Sequence, residues 1–236
     1  MARVTGTDDA GRAAIRQAVS VSLATGLYGV SFGALAVAAG LSLPQTMALS
    51  LLMFSGGSQF AFIGVVGAGG LAGAAIATSG LLGVRNGLYG PQVTPLLGVS
   101  GWRRLAAAQL TIDESTAVST AQKERRASRL GFWWTGIGVF VLWNTFTLVG
   151  ALLGDALGDP KKYGLDAAAA AAFLGLVWPR VTGANARHAQ LVAASAVFVA
   201  LAVTPFVPAG IPVLLAAIVA ILAGVLTTPP VQEVAA

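Results

Sequence analysis

The chain has 236 residues, of which 56% are hydrophobic and 10% charged. Soluble domains carry roughly 25% charged residues, so a soluble enzyme or binding module is excluded as the whole of this protein. Fourteen Lys and Arg against nine Asp and Glu give a net charge of +5. In short loops of a membrane protein such an excess sets topology, and no nucleic-acid partner is expected.

Residues 1–15 read as a polar N-terminal tail. From Gln17 to Val84 there is no Asp, Glu, Lys, Arg or His. A bilayer span needs about 20 mostly apolar residues, so this run holds three passes or more. The apolar stretch continues far beyond the 7–15 residues or so of a signal-peptide core, so a retained N-terminus is expected. A first span covers Arg16 to Leu41, and Pro44 favours the first turn of the next helix. That helix meets Ser55-Gly56-Gly57-Ser58-Gln59, where two adjacent glycines each cost about 1 kcal/mol in a helix interior. A further span from Gly70 to Val84 is interrupted by Arg85-Asn86, and Pro91 and Pro95 are expected to break any helix continuing toward Ser100.

Residues 101–129 form the most polar stretch and hold six of the fourteen basic residues, which predicts a cytoplasmic loop. Arg3, Arg12 and Arg16 place the N-terminus on the same side. Both assignments need an even number of passes between them, whereas a plain count gives three. A re-entrant or broken element within 44–98 is therefore expected. Phe132-Trp133-Trp134 opens the next uncharged run, to Gly154, as an interfacial aromatic belt. A loop over Asp155–Asp166 and a short helix over Ala167–Trp178 follow. Two last spans, Ala189–Val207 and Pro212–Thr227, flank a Pro-Ala-Gly turn. The predicted fold is an all-α integral membrane protein, a single membrane domain over 1–236 with about six to eight transmembrane helices, some broken or re-entrant.

Candidate sites are few. Unwound backbone at membrane depth is tolerated where it lines a cavity or is buried in protein, and transporters use such breaks to hold anionic groups. Ser55, Ser58 and Gln59 are therefore candidates for binding a carboxylate; the alternative is that Gln59 ties two helices together. Gly29, Phe32 and Gly33 could form a facing wall. Small residues four apart, as in Gly29/Gly33, Gly69/Gly73, Gly83/Gly87 and Gly150/Gly154, also let helices pack closely. Arg85, with Asn86 and Tyr89, is a functional candidate because an ionisable residue inside a span is costly; it suits a carboxylate, an interfacial position or a pair with the acidic cluster. Asp113 and Glu114 could take an ammonium group or a coupling proton, or Asp113 could simply begin a helix. Trp143-Asn144 is a lesser candidate, with Asn144 expected to bond across helices. The lone His188 beside Arg187 and the absence of Cys predict no metal site, and no nucleophile–base pair, P-loop or dinucleotide fingerprint is present. No catalytic residue and no cofactor is expected.

Gly29-Val30-Ser31-Phe32-Gly33-Ala34-Leu35-Ala36, Ala39-Gly40-Leu41-Ser42, Phe54-Ser55-Gly56-Gly57-Ser58-Gln59-Phe60 and Asp113-Glu114-Ser115-Thr116 together resemble the AzlC-type branched-chain amino acid permeases. Arg85-Asn86 through Gly90 is similar to a further family segment, with Gly83 and Asn86 standing where Asn and His are usual. The resemblance implies proton-driven export of valine, leucine and isoleucine across a bacterial inner membrane. It also implies a partner, a small AzlD-type membrane subunit. A passive channel for small solutes and a non-transporting scaffold are the competing readings.

Overall fold

In a computed structural model of the protein, residues 2–157, 162, 174–175, 177–178, 180–183 and 186–226 are described. Among these residues the ordered elements are all helical. They are α1 (Ala2–Leu27), α2 (Gly29–Ala38), α3 (Leu43–Leu52), α4 (Gly56–Gly67), α5 (Ala72–Leu97), α6 (Trp102–Gln109), α7 (Asp113–Thr120), α8 (Arg125–Leu157), α9 (Arg187–Val203) and α10 (Ile211–Leu226). Asp9–Ala38, Arg125–Gly154 and Arg187–Phe206 are long and apolar enough to cross a membrane. The predicted loop at 155–166 and helix at 167–178 lie largely outside the described residues.

The centre of the fold is a parallel pair. α1 and α2 together run alongside α8 with rising numbers on both sides: Gly11 lies against Leu130, the Ser22 hydroxyl donates to the Thr135 carbonyl at 3.3 Å, Gly29 lies on Trp143 and Gly154 on Ala34. With no hydrophobic driving force between helices in lipid, close backbone approach and hydrogen bonds hold such a pair. Val19, Leu23, Ile137 and Val141 on the outer faces are exposed, as lipid-facing positions are.

Two helical hairpins enter this frame from opposite ends. The first is α3–α4. Ser42 and Gln45 form a capping box that starts α3, with Pro44 in its first turn. The chain breaks at residues 53–55, and α4 then returns until Gly67 packs on Ala39, close to where α3 began. α5 crosses to the other end, where Arg125 donates to the Pro95 and Leu96 carbonyls at 3.1 and 3.2 Å and Arg129 donates to the Leu97 carbonyl. The second hairpin, α6–α7, starts there. Gln109, the last residue of α6, donates to the Leu51 carbonyl at 3.0 Å beside the tip of the first hairpin. α7 then leads back to Gln122, which donates to Gln17 at 3.0 Å.

This architecture explains the parity conflict. Because α3–α4 doubles back, only α1–α2 and α5 cross between the N-terminal arginines and the basic segment, so both lie at one end. Three expectations are corrected. Residues 101–129 are not a loop but the α6–α7 hairpin with the start of α8. The supposed tail is helical from Ala2. Pro91 and Pro95 do not break α5, which runs on to a left-handed cap at Gly98 (φ 57°). Their missing N–H groups free only the Gly87 and Pro91 carbonyls, and Arg125 and Arg129 of α8 hold the last carbonyls of the helix, those of Pro95, Leu96 and Leu97.

Candidate functional site

The hairpin tips meet over a cavity of about 380 Å³, at the lower end of the size usual for small-molecule sites. Thr25 in the α1–α2 span (Asp9–Ala38), Arg85 on α5 and Val139 on α8 all line it, and each falls close to the middle of its crossing. The site therefore lies at mid-depth.

Its polar side combines three elements. Arg85 and Tyr89 stand one turn apart on α5 and converge on Asp113, the first residue of α7. The Arg85 Nη2 lies 2.7 Å from Asp113 Oδ2, and the Tyr89 hydroxyl donates to Asp113 Oδ1 at 2.5 Å. Arg180, from the segment after α8, acts on Tyr89 electrostatically. Glu114 shares the cavity, lies beside Thr25 and forms no ion pair among the described residues. The third element is the N-terminus of α4: Ser55, Gly56 and Gly57 line the cavity, and first-turn amides have no partners within their own helix. The opposite walls are apolar. Trp143 packs against Tyr28, Phe32 and Phe60 with ring centroids 6.0–6.2 Å apart, and Ala24, Phe54, Ile112, Val139 and Gly175 complete the lining.

The sequence candidates divide accordingly. Ser55, Arg85, Asp113 and Glu114 line the cavity, with Tyr89 bonded to it through Asp113. Gln59 does not line it. Its Nε2 donates to the Leu49, Ser50 and Met53 carbonyls at 3.4, 3.3 and 2.9 Å, satisfying the open end of α3. Ser58 lies 3.1 Å from the Ser55 hydroxyl. Gly29 and Gly33 face the α8 backbone, where a Cβ on Gly29 would fall 2.6 Å from the Trp143 carbonyl. Phe32 is fully buried behind Trp143. Asn86 looks into a neighbouring cavity between α5, α6 and the tips. Asn144 bonds the Phe140 carbonyl of its own helix at 2.7 Å rather than another helix. Thr25, Tyr28, Phe60, Ile112 and Val139 are cavity residues that sequence reasoning missed.

The tying role of Gln59 has a measurable consequence. Gln59→Ala leaves the Ser50 carbonyl without its donor and takes one of two donors from the Leu49 and Met53 carbonyls, and the expected loss is about 2 kcal/mol of stability with unchanged affinity for the transported solute. Thermal unfolding in detergent beside a binding titration checks this; weaker binding at unchanged stability contradicts it.

A multi-pass helical protein with broken helices converging on a mid-depth cavity has the build of a membrane transport protein. The sequence model of the AzlC protein family matches residues 20–157, more than half of the chain and nearly all of the site. The chain belongs to the AzlC family, a family of transporters. No curated protein and no solved structure matches it.

Proposed function

We propose that the protein exports branched-chain amino acids, valine, leucine and isoleucine, across a bacterial inner membrane in exchange for protons, working with a small AzlD-type membrane subunit. The single observation carrying this reading is a cavity with three chemically distinct sides. The first turn of α4 offers Ser55 and free amides to a carboxylate, favoured by the positive end of the helix dipole. Glu114, lacking an ion pair, offers a carboxylate to an ammonium group. Trp143, Phe60 and Val139 offer an apolar wall to an aliphatic side chain. A zwitterion with a hydrocarbon side chain satisfies all three, while a neutral sugar carries neither of the two charges.

Glu114 also supplies the coupling. In a water-poor site a carboxylate is neutralised by a proton or by an ammonium ion, and both cannot occupy it together. Alternation between the two yields exchange. Asp113, held by Arg85 and Tyr89, positions Arg85.

The test uses cells loaded with a valine-containing dipeptide. Export of valine is expected to depend on the proton gradient and to fall at least tenfold in Glu114→Gln at equal expression. Saturable export unaffected by an uncoupler removes the proton, and non-saturable flux makes the protein a channel. Export lost on deleting the small subunit supports the two-component reading.

A further inference from the structure

The two hairpins share more than a meeting point. Each follows a crossing that carries Leu-Tyr-Gly at mid-depth, Leu27-Tyr28-Gly29 in the first and Leu88-Tyr89-Gly90 in the second. Tyr28 lines the cavity and Tyr89 bonds Asp113 within it. Each crossing ends at a glycine in the left-handed region followed two residues later by serine: Gly40 (φ 93°) before Ser42, and Gly98 (φ 57°) before Ser100. The descending helix comes next, α3 or α6, then a three-residue tip at 53–55 or 110–112, then the returning helix whose first turn faces the cavity. The tip begins 13 residues after Gly40 and 12 after Gly98. Four residues separate α4 from α5 and four separate α7 from α8. The two crossings run in opposite directions, because α5 carries the chain back to the end where α1 began.

We propose that residues 15–67 and 76–120 are two copies of one unit inserted in opposite senses, and that the cavity between their tips opens to either face in turn as one hairpin moves against the other. The seam is the place to look. Gln109 of one tip reaches the Leu51 carbonyl of the other, and this bond with Thr111, Met53 and Phe54 separates the site from the second cavity beside α5. Inverted units of equal build have two equivalent packings, one closing each face, which is how a fixed site is served from both sides.

The inference uses the cavity but not the identity of its solute, so its test is independent of the amino-acid reading. The chain has no cysteine, which makes it a clean background. Leu51→Cys with Gln109→Cys is joined by a short reducible cross-linker, and Ala24→Cys in the cavity reports access to an impermeant thiol reagent added to one face at a time. In the free protein Cys at position 24 is expected to react from both faces. With the tips joined it reacts from one face only, at least tenfold more slowly from the other, and reduction restores both. Reaction from one face only in the free protein, or from both in the joined protein, overturns the proposal. Met53→Cys with Thr111→Cys is a second pair across the same seam should the first fail to reach the membrane. If both-face access alternates as expected but no amino acid is transported, the amino-acid reading fails and this one stands.

Discussion

Arg85→Ala is expected to abolish transport and to lower the stability of the protein by about 2 kcal/mol. Removing one partner of a fully buried ion pair costs roughly 3–5 kcal/mol because it leaves the other charge desolvated and alone. The Arg85 and Asp113 side chains keep 26% and 20% of their exposure, so solvent recovers part of that cost. What remains is an Asp113 carboxyl group that has lost its cationic partner, next to Glu114 in the same cavity. Arg85→Gln combined with Asp113→Asn removes both charges and keeps hydrogen-bonding groups of similar shape, so this variant is expected to recover most of the stability and little of the transport. Arg85→Lys should lie between, since only one Arg–carboxylate contact is made and an ammonium can keep it, without the orientation of the planar fork. Unfolding midpoints in detergent, measured beside valine export, separate these outcomes. An Arg85→Ala protein as stable as the parent contradicts the role given to the ion pair.

The parts of this molecule legible in its sequence are those where charge or backbone chemistry departs from the apolar background. Charge-free runs located the membrane spans, and the Gly56-Gly57 pair located the break at the end of α3. The arginines at both ends of residues 1–129 required a doubled-back element, which is α3–α4. Arg85, Asp113 and Glu114 stood out for the same reason, and they meet in one cavity. Thr25, Tyr28, Phe60 and Val139 did not stand out. In a soluble helix the period of apolar residues separates core from solvent, but here the lipid face, the helix seams and the cavity wall all accept apolar side chains. Only the repetition of Leu-Tyr-Gly marks Tyr28. Pro91 and Pro95 misled because each removes only one bond from the helix, while the carbonyl end of α5 is held by Arg125 and Arg129 of α8, far along the chain. Gln59 had two readings, a ligand contact or a tie between helices, and its amide on the carbonyl end of α3 is the second of them.

The glycines give the other large expected effect, and they divide into two groups by what stands opposite. Gly33 and Gly150 lie where α2 and α8 cross, and a Cβ on either would overlap a carbonyl of the facing helix, that of Thr147 or of Val30. Nothing flexible is there to give way, so Gly33→Ala or Gly150→Ala must push the two helices apart. Overpacking of this kind costs about 1–3 kcal/mol, and backbone rather than side chain as the obstacle puts these variants at about 3 kcal/mol. Gly64 and Gly87 meet nothing within 4 Å, and alanine there gains up to about 1 kcal/mol from its better helix propensity. The four single variants, compared by the fraction surviving heating in detergent, should fall into two well-separated pairs. The comparison also decides between the two readings of Gly33. If its missing side chain made room for the solute, Gly33→Ala would weaken binding at unchanged stability. Because Gly33 touches α8 and not the cavity, stability should fall while the surviving protein binds as the parent does.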